Sequence, residues 1–195
     1  MATLTPELPV LMTGPHPVDD EVAPRASAPP SFQEVYAGHL DLVWRSLRSL
    51  GVPAASVEDA AQDVFLVVHR RLPEFAERSS LRTWIFGIVL HVARNHRRRE
   101  RRKGGLAPLD PDLAGGGPGP EQEAETAEAL ERLAEVLGDL DEPKREVFVM
   151  GELEQMNAPE IAGALGINVN TVYSRLRAAR LAFTAALARR EGGRR

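Results

Sequence analysis

Residues 157–187, NAPEIAGALGINVNTVYSRLRAARLAFTAAL, place two helix starts and one helix stop in close succession. Asn157 suits an N-cap, Pro159 suits the first helical turn, and Glu160 stands three residues beyond the cap, where it can complete a capping box. Gly166 can take the left-handed conformation that ends a helix, Ile167 plugs the corner, and Asn168 caps the next helix. This spacing predicts a helix-turn-helix. At 100° per residue the last helix gathers Val172, Leu176, Ala179, Phe183 and Leu187 on one side, the expected core face. Asn170, Ser174 and Arg177 lie opposite, with Thr171, Tyr173 and Arg175 around them and the capping Asn168 ahead. Amide, hydroxyl and guanidinium groups in the first turns suit readout of base edges in a major groove, and Arg175 or Arg177 carries the fork that pairs with guanine. A merely solvated helix face would use the same residue types. The agreement of cap, turn and preceding helix favours DNA.

Upstream, Asp141 or Glu142 can cap a helix with Pro143 in its first turn, and Val147, Phe148, Met150 and Leu153 supply an apolar stripe. EQEAETAEALERLAEVLGDLDE at 121–142 opens this helical block, which ends near Arg190 and leaves a basic tail at 191–195. Before it, GGLAPLDPDLAGGGPGP at 104–120 is too rich in glycine and proline to fold, and reads as a flexible tether with a reach on the order of 20 Å. A second helical block spans 31–103, broken by GVPAAS at 51–56 and PEFAERSS at 73–80. Residues 1–30 carry seven prolines and no periodic apolar pattern, as expected of a disordered arm. The predicted fold is all-α: two small helical domains, 31–103 and 121–190, joined by a flexible Gly/Pro-rich linker. The second is a winged-helix-like arrangement of three to four helices without a predicted wing.

Composition narrows the function classes. The chain has 195 residues, 43% hydrophobic and 27% charged, no cysteine and a formal net charge of −4. The missing cysteines exclude a disulfide framework, thiolate metal sites and a cysteine nucleophile, and fit a reducing compartment. MATLTPELPVLMTGPHP has no basic start and no long apolar run, so a cytoplasmic location without membrane insertion is expected. An acidic balance argues against non-specific coating of nucleic acid, so DNA contact must come from local patches such as NHRRRERRKGG at 95–105. No HExxH, phosphate loop or nucleophile elbow is present. His91 and His96 diverge by roughly 140° on a helix and do not make a metal pair. No metal site, no cofactor and no catalysis are expected.

The first block has its own patterning. On a helix from about Val57 to Leu72, Val57, Ala60, Ala61, Val64, Val67 and Val68 cluster on one side, while Glu58, Gln62 and His69 project from the other. Asp59 and Asp63 lie beside that polar face, and Phe65 sits at its boundary. An acidic face with an aromatic edge suits a basic protein surface and repels phosphate. Beyond it, a polar loop runs to Ser80, a candidate cap for the helix LRTWIFGIVLHVARNHRR. Trp84 fits a packed helix better than a stacking platform, since Ile85, Ile88 and Val92 continue the apolar side.

LDEPKREVFVMGELEQMNAPEIAGALGINVNTVYSRLRAAR at 140–180 resembles the minus-thirty-five reader of bacterial RNA polymerase sigma factors, and also the helix-turn-helix of response regulators. VEDAAQDVFLVVHRRLPEFAERSSLRTWIFGIVLHVARNHRRRERR at 57–102 resembles the promoter-melting domain of the extracytoplasmic-function (ECF) group of sigma factors, which separates the two. The resemblance implies a subunit that binds core RNA polymerase and promoter DNA, and in many members an anti-sigma partner. It implies contact of Asp59, Gln62, Asp63 and Phe65 with the clamp of the largest polymerase subunit. It implies capture of a flipped minus-ten base by the loop of Phe75, Arg78, Ser79 and Ser80, with Arg82, Arg94, Asn95, Arg97 and Arg98 along the minus-ten DNA. Gly87 and His91 stand where many members carry arginine and asparagine. For the minus-thirty-five element it implies Asn168, Asn170, Thr171, Tyr173, Ser174, Arg175 and Arg177. The alternatives are a helix-turn-helix regulator that binds operator DNA without polymerase, and a nuclease using the acidic clusters.

Overall fold

The computed structural model describes residues 30–103 and 120–192, and every regular element among them is helical. The expected arm lies outside the described residues apart from Pro30, the tether apart from Pro120, and the tail beyond Gly192.

Helix α1 (Phe32–Ser49) starts in a capping box: the Ser31 side chain accepts from the Glu34 N–H while the Glu34 carboxylate accepts from the Ser31 N–H. Its C-terminal end turns at Gly51, whose φ of 84° is open to glycine at little cost. Helix α2 (Ala54–Arg71) begins three residues ahead of the expected Val57, because Pro53, with its fixed φ, already serves as the N-cap. A short 3-10 turn (Leu72–Glu74) leads into the polar loop, in which Glu77 takes a left-handed φ of 51°. Ser80 Oγ then accepts from the Thr83 N–H at 3.1 Å, which starts helix α3 (Leu81–Lys103). Val57, Ala60, Ala61, Val64 and Val68 are buried, as the periodicity predicts. Phe65 is buried too, at 5% exposure, beneath Tyr36 at 4.6 Å and beside Phe32 at 6.5 Å between ring centroids. The boundary position assigned to it is therefore corrected: the aromatic residues of α1 cover it.

The second region comprises α4 (Pro120–Gly138), α5 (Glu142–Phe148), a π turn (Val149–Leu153), α6 (Ala158–Leu165) and α7 (Val169–Gly192). Asp141 caps α5 by accepting from the Lys144 N–H. Asn157 and Glu160 form the expected capping box, Gly166 has φ 66°, and the Asn168 side chain accepts from the Asn170 N–H at 2.8 Å. Phe148 stacks on Phe183 with centroids 4.5 Å apart. The buried seam of α7 is Val172, Ala179 and Ala186, whereas Leu187, expected in the core, is 40% exposed. Seven residues fall about 20° short of two full turns, so the inward direction drifts along the helix and reaches Ala186 instead. Gly151 lets the π turn sit against α7: a Cβ there would lie 3.2 Å from Leu176 Cδ1.

The two helical regions pack against each other, α1 on α4 and α3 on α6, and their buried residues form one continuous apolar core. Asn157→Ala removes an N-cap and its half of a capping box, so we expect a loss of about 1 kcal/mol, read as a lower thermal unfolding midpoint. Bonding to the Lys144 ammonium, and then to its N–H, holds the Asp141 carboxyl below the usual carboxylate range. A pKa lower in the fold than in the unfolded chain favours folding at neutral pH, and this contribution fades as pH falls through the depressed value. Asp141→Asn should thus unfold with a flatter pH dependence below about pH 4, measured as thermal midpoint against pH.

Candidate nucleic-acid interface

The amino-terminal end of α7 faces solvent. Asn168, Asn170, Ser174 and Arg177 are exposed, Tyr173 is 60% exposed, and Thr171 and Arg175 are half-buried. Ser174 Oγ donates to the Thr171 carbonyl at 3.0 Å, which holds the hydroxyl against the helix. Six of these seven side chains lie within about two turns of a capped helix start, where exposed N–H groups and the positive end of the helix dipole favour an anion such as a phosphate. Base-edge chemistry and backbone anchoring are thereby brought to one helix end.

Helix α3 is arranged differently. Thr83, Gly87, Leu90, Arg94, Arg97 and Arg101 recur at steps of four, three, four, three and four, so they share one face. That face is turned toward the second region. Thr83 Oγ1 donates to Glu160 at 2.9 Å, Arg94 makes a two-pronged pair with Glu146 at 2.7 and 2.6 Å, and Arg97 reaches Glu142 at 2.8 Å and Glu146 at 3.4 Å. Arg101 meets Glu142 at 3.5 Å. The minus-ten reading placed Arg82, Arg94, Asn95, Arg97 and Arg98 along DNA, and the fold divides them. Arg97 is buried at 7%, Arg94 is half-buried, and Arg82 is bonded to Glu154 at 2.6 Å. Arg98 is exposed on the adjacent face, and Asn95 contacts His91 there at 3.1 Å. In the loop, Arg78, Ser79 and Ser80 are exposed, while Phe75 is half-buried against Trp84, 5.2 Å between centroids.

The partners of these arginines are residues that sequence reasoning missed. Glu146 and Glu154 are only 3% and 2% exposed. Glu154 accepts from Arg45 Nε and Nη2 and from Ser46 Oγ, each at 3.2 Å, besides Arg82. The π turn and a left-handed Gln155, φ 53°, carry the Glu154 carboxylate into this cluster. Arg145 caps the carboxyl end of α4, donating to the carbonyls of Leu137, Gly138 and Leu140 at 2.7 to 2.9 Å. Arg97 donates to the Leu50 carbonyl at the end of α1, and Gly51 is needed beside it, since a Cβ there would strike Arg145. Bonding to Glu154 and to Glu146 pushes the pKa values of Arg45 and Arg94 up, whereas burial, and then the charge of Arg97, pushes that of Arg145 down. One signal was available: Glu146 sits on the same helical stripe as Met150 and Leu153, a carboxylate among core positions.

On α2, Asp59 and Gln62 are exposed, Asp63 is half-buried with its carboxylate 2.9 Å from His96 Nε2, and Phe65 lies beneath the surface. Among the described residues no cluster of three or more histidine and acidic side chains could hold a metal ion, and no helix is long and apolar enough to cross a membrane.

Residues 35–103 match the family model of sigma-70 region 2, and residues 130–183 match that of sigma-70 region 4. The RNA polymerase sigma factor CnrH of Cupriavidus metallidurans is 34% identical over 165 residues, 80% of this chain and 86% of that protein. The solved structure of CnrH with the cytosolic domain of CnrY superposes with a TM-score of 0.60 at 30% identity, covering 80% of this chain and 87% of that one. The ECF RNA polymerase sigma factor SigC of Mycobacterium tuberculosis is 31% identical over 150 residues, 73% of this chain and 76% of that protein. The sigma factor RpoE of Bartonella quintana, solved with the anti-sigma factor NepR, shares the fold at a TM-score of 0.65 and 19% identity, covering 80% and 96% of the two chains. With both sigma-70 regions present in this order, and with these relatives along most of its length, the chain belongs to the ECF group of sigma-70-family RNA polymerase sigma factors, non-catalytic proteins that bind RNA polymerase for promoter recognition.

Proposed function

We propose that the chain divides promoter recognition between two readers. The start of α7 reads the minus-thirty-five element through Asn168, Asn170, Thr171, Tyr173, Ser174, Arg175 and Arg177. The loop of Phe75, Arg78, Ser79 and Ser80 takes an extruded minus-ten base, an arrangement in which a polar loop over an aromatic floor offsets the few kcal/mol lost on unstacking. Arg82, Arg94, Asn95, Arg97 and Arg98 follow the minus-ten backbone, and phosphate contacts of this kind set register without carrying sequence information. Asp59, Gln62 and Asp63 offer an acidic surface to the polymerase clamp, with Phe65 supporting it from below. Residues 31–103 and 121–190 act as the two functional domains, held at high effective concentration by the segment between them. The site of action is the cytoplasm, where core polymerase is found, and a protein anti-sigma partner fits the likeness to the NepR-bound relative. The observation that carries this reading is the solvent-facing, capped start of α7 with amide, hydroxyl and guanidinium groups on one side.

In vitro transcription with core polymerase tests it: runoff from a cognate promoter should depend on this chain, and tight operator binding without polymerase would favour a stand-alone regulator. Arg177→Ala or Asn170→Ala should lower runoff roughly tenfold, in line with about 1–3 kcal/mol per base contact, and relax preference at one base pair of the upstream element. Arg98→Ala should weaken all promoters alike and reduce the salt dependence of binding by about one unit of slope. Asp59→Arg should impair holoenzyme assembly in a pull-down or fluorescence titration while leaving the thermal midpoint within a few degrees. Unchanged assembly would remove Asp59 from the polymerase surface.

A further inference from the structure

Helix α3 carries another set of inward positions where it packs on α2. Ile85, Val89, Val92 and His96 recur at steps of four, three and four, so they share one stripe, and the first three are buried apolar residues. His96 ends that stripe at 8% exposure, a polar ring where the pattern predicts another aliphatic side chain. A buried ring nitrogen needs a hydrogen-bond partner, and α2 supplies one: His96 Nε2 lies 2.9 Å from Asp63 Oδ2. An ionised carboxylate only accepts, so Nε2 carries the hydrogen and donates it. Among the described residues Asp63 has no other hydrogen bond or ion pair, and its side chain is 47% exposed, so its second oxygen is open to a partner.

We propose that His96 is a positioning residue for polymerase binding: its N–H fixes the Asp63 carboxylate in the orientation that a basic group of the polymerase meets. The proposal rests on the reading of Asp59, Gln62 and Asp63 as the polymerase surface. Three features support it. Asp59 is exposed one turn ahead of Asp63, and side chains four apart on a helix lie about 5–6 Å from each other at Cβ, close enough for one guanidinium to span both carboxylates. Asp59 and Gln62 are exposed and make no hydrogen bond or ion pair among the described residues, so of the three only Asp63 meets a partner already oriented. A side chain ordered before binding avoids the rotamer entropy that a free one gives up at an interface. Finally, His96 is itself enclosed in the seam between α2 and α3, so the ring is a fixed reference and its influence on a partner passes through the Asp63 carboxylate.

The test measures assembly of the full chain with core polymerase by fluorescence titration, with the thermal midpoint recorded for each variant. His96→Phe keeps a ring in the packed stripe and removes the donor, and should weaken assembly roughly fivefold, the scale of one side chain losing its prior order. His96→Gln returns an N–H near the place of Nε2 and should recover most of that loss, a rescue that ring packing alone would not give. Asp63→Ala should itself weaken assembly, and in that background His96→Phe should have no further effect, because the positioned group is gone. His96→Met serves as the donor-free variant if the phenylalanine variant does not fold. If the donor-free variant assembles as tightly as the parent while Asp63→Ala weakens assembly, Asp63 meets polymerase without help from His96 and the proposal falls. It falls also if His96→Gln is as weak as the donor-free variant, or if the loss persists undiminished in the Asp63→Ala background, since His96 then acts by another route. If Asp63→Ala assembles normally, the polymerase reading of Asp63 fails and takes the positioning role with it.

Discussion

Two carboxylates buried to within a few per cent, Glu146 and Glu154, set the relation between the regions. An ionised carboxylate without a partner cannot remain in such a place, because removal from water costs several kcal/mol per ion. Guanidinium groups from the other region meet that requirement: Arg94 and Arg97 for Glu146, Arg45 and Arg82 for Glu154. Each pair joins residues far apart in sequence and fixes one register of α3 and α1 against α5 and the residue that follows the π turn. A slip along α3 would leave both anions uncompensated, so the contact between the regions has one register.

The ion pairs and the shared apolar core contribute differently to this contact. Buried ion pairs contribute little net stability compared with apolar packing, yet breaking one partner alone is costly, so they specify geometry more than they hold it shut. Arg145 serves both regions: it donates to the carbonyls at the end of α4 and reaches the Leu50 carbonyl at the end of α1 at 3.5 Å, while burial, and then the like charge of Arg97, disfavours its protonated form.

Local features of the fold were legible because each is written in neighbouring residues. The Asn157 capping box, the left-handed Gly166 and the Asn168 cap need no more than four residues of context to argue, and the α2 core face needs only its own helix. Features that depend on another element were not. Phe65 read as a boundary residue because the aromatic cover from Phe32 and Tyr36 lies on a separate helix. Leu187 read as core because it lies about 60° from Val172 around the helix, and which side of that seam is covered depends on the elements packed against α7. Of the candidate site, the exposed end of α7 was readable from cap and periodicity, whereas the burial of Arg97 was invisible, since it depends on Glu142 and Glu146 beyond the Gly/Pro-rich segment. A basic burst at 97–102 carries no mark that its first arginine is inside.

That hidden arginine bears on how a small acidic chain manages specificity. A free sigma factor with both readers open would meet a large excess of non-specific DNA, and its basic helix end would bind phosphates wherever they occur, since the electrostatic term is independent of sequence. A net charge of −4 reduces this attraction only on average. Local neutralisation acts on particular residues: Glu142, Glu146 and Glu154 offset the charges of Arg82, Arg94, Arg97 and Arg101, while the polar groups at the start of α7 stay open to solvent.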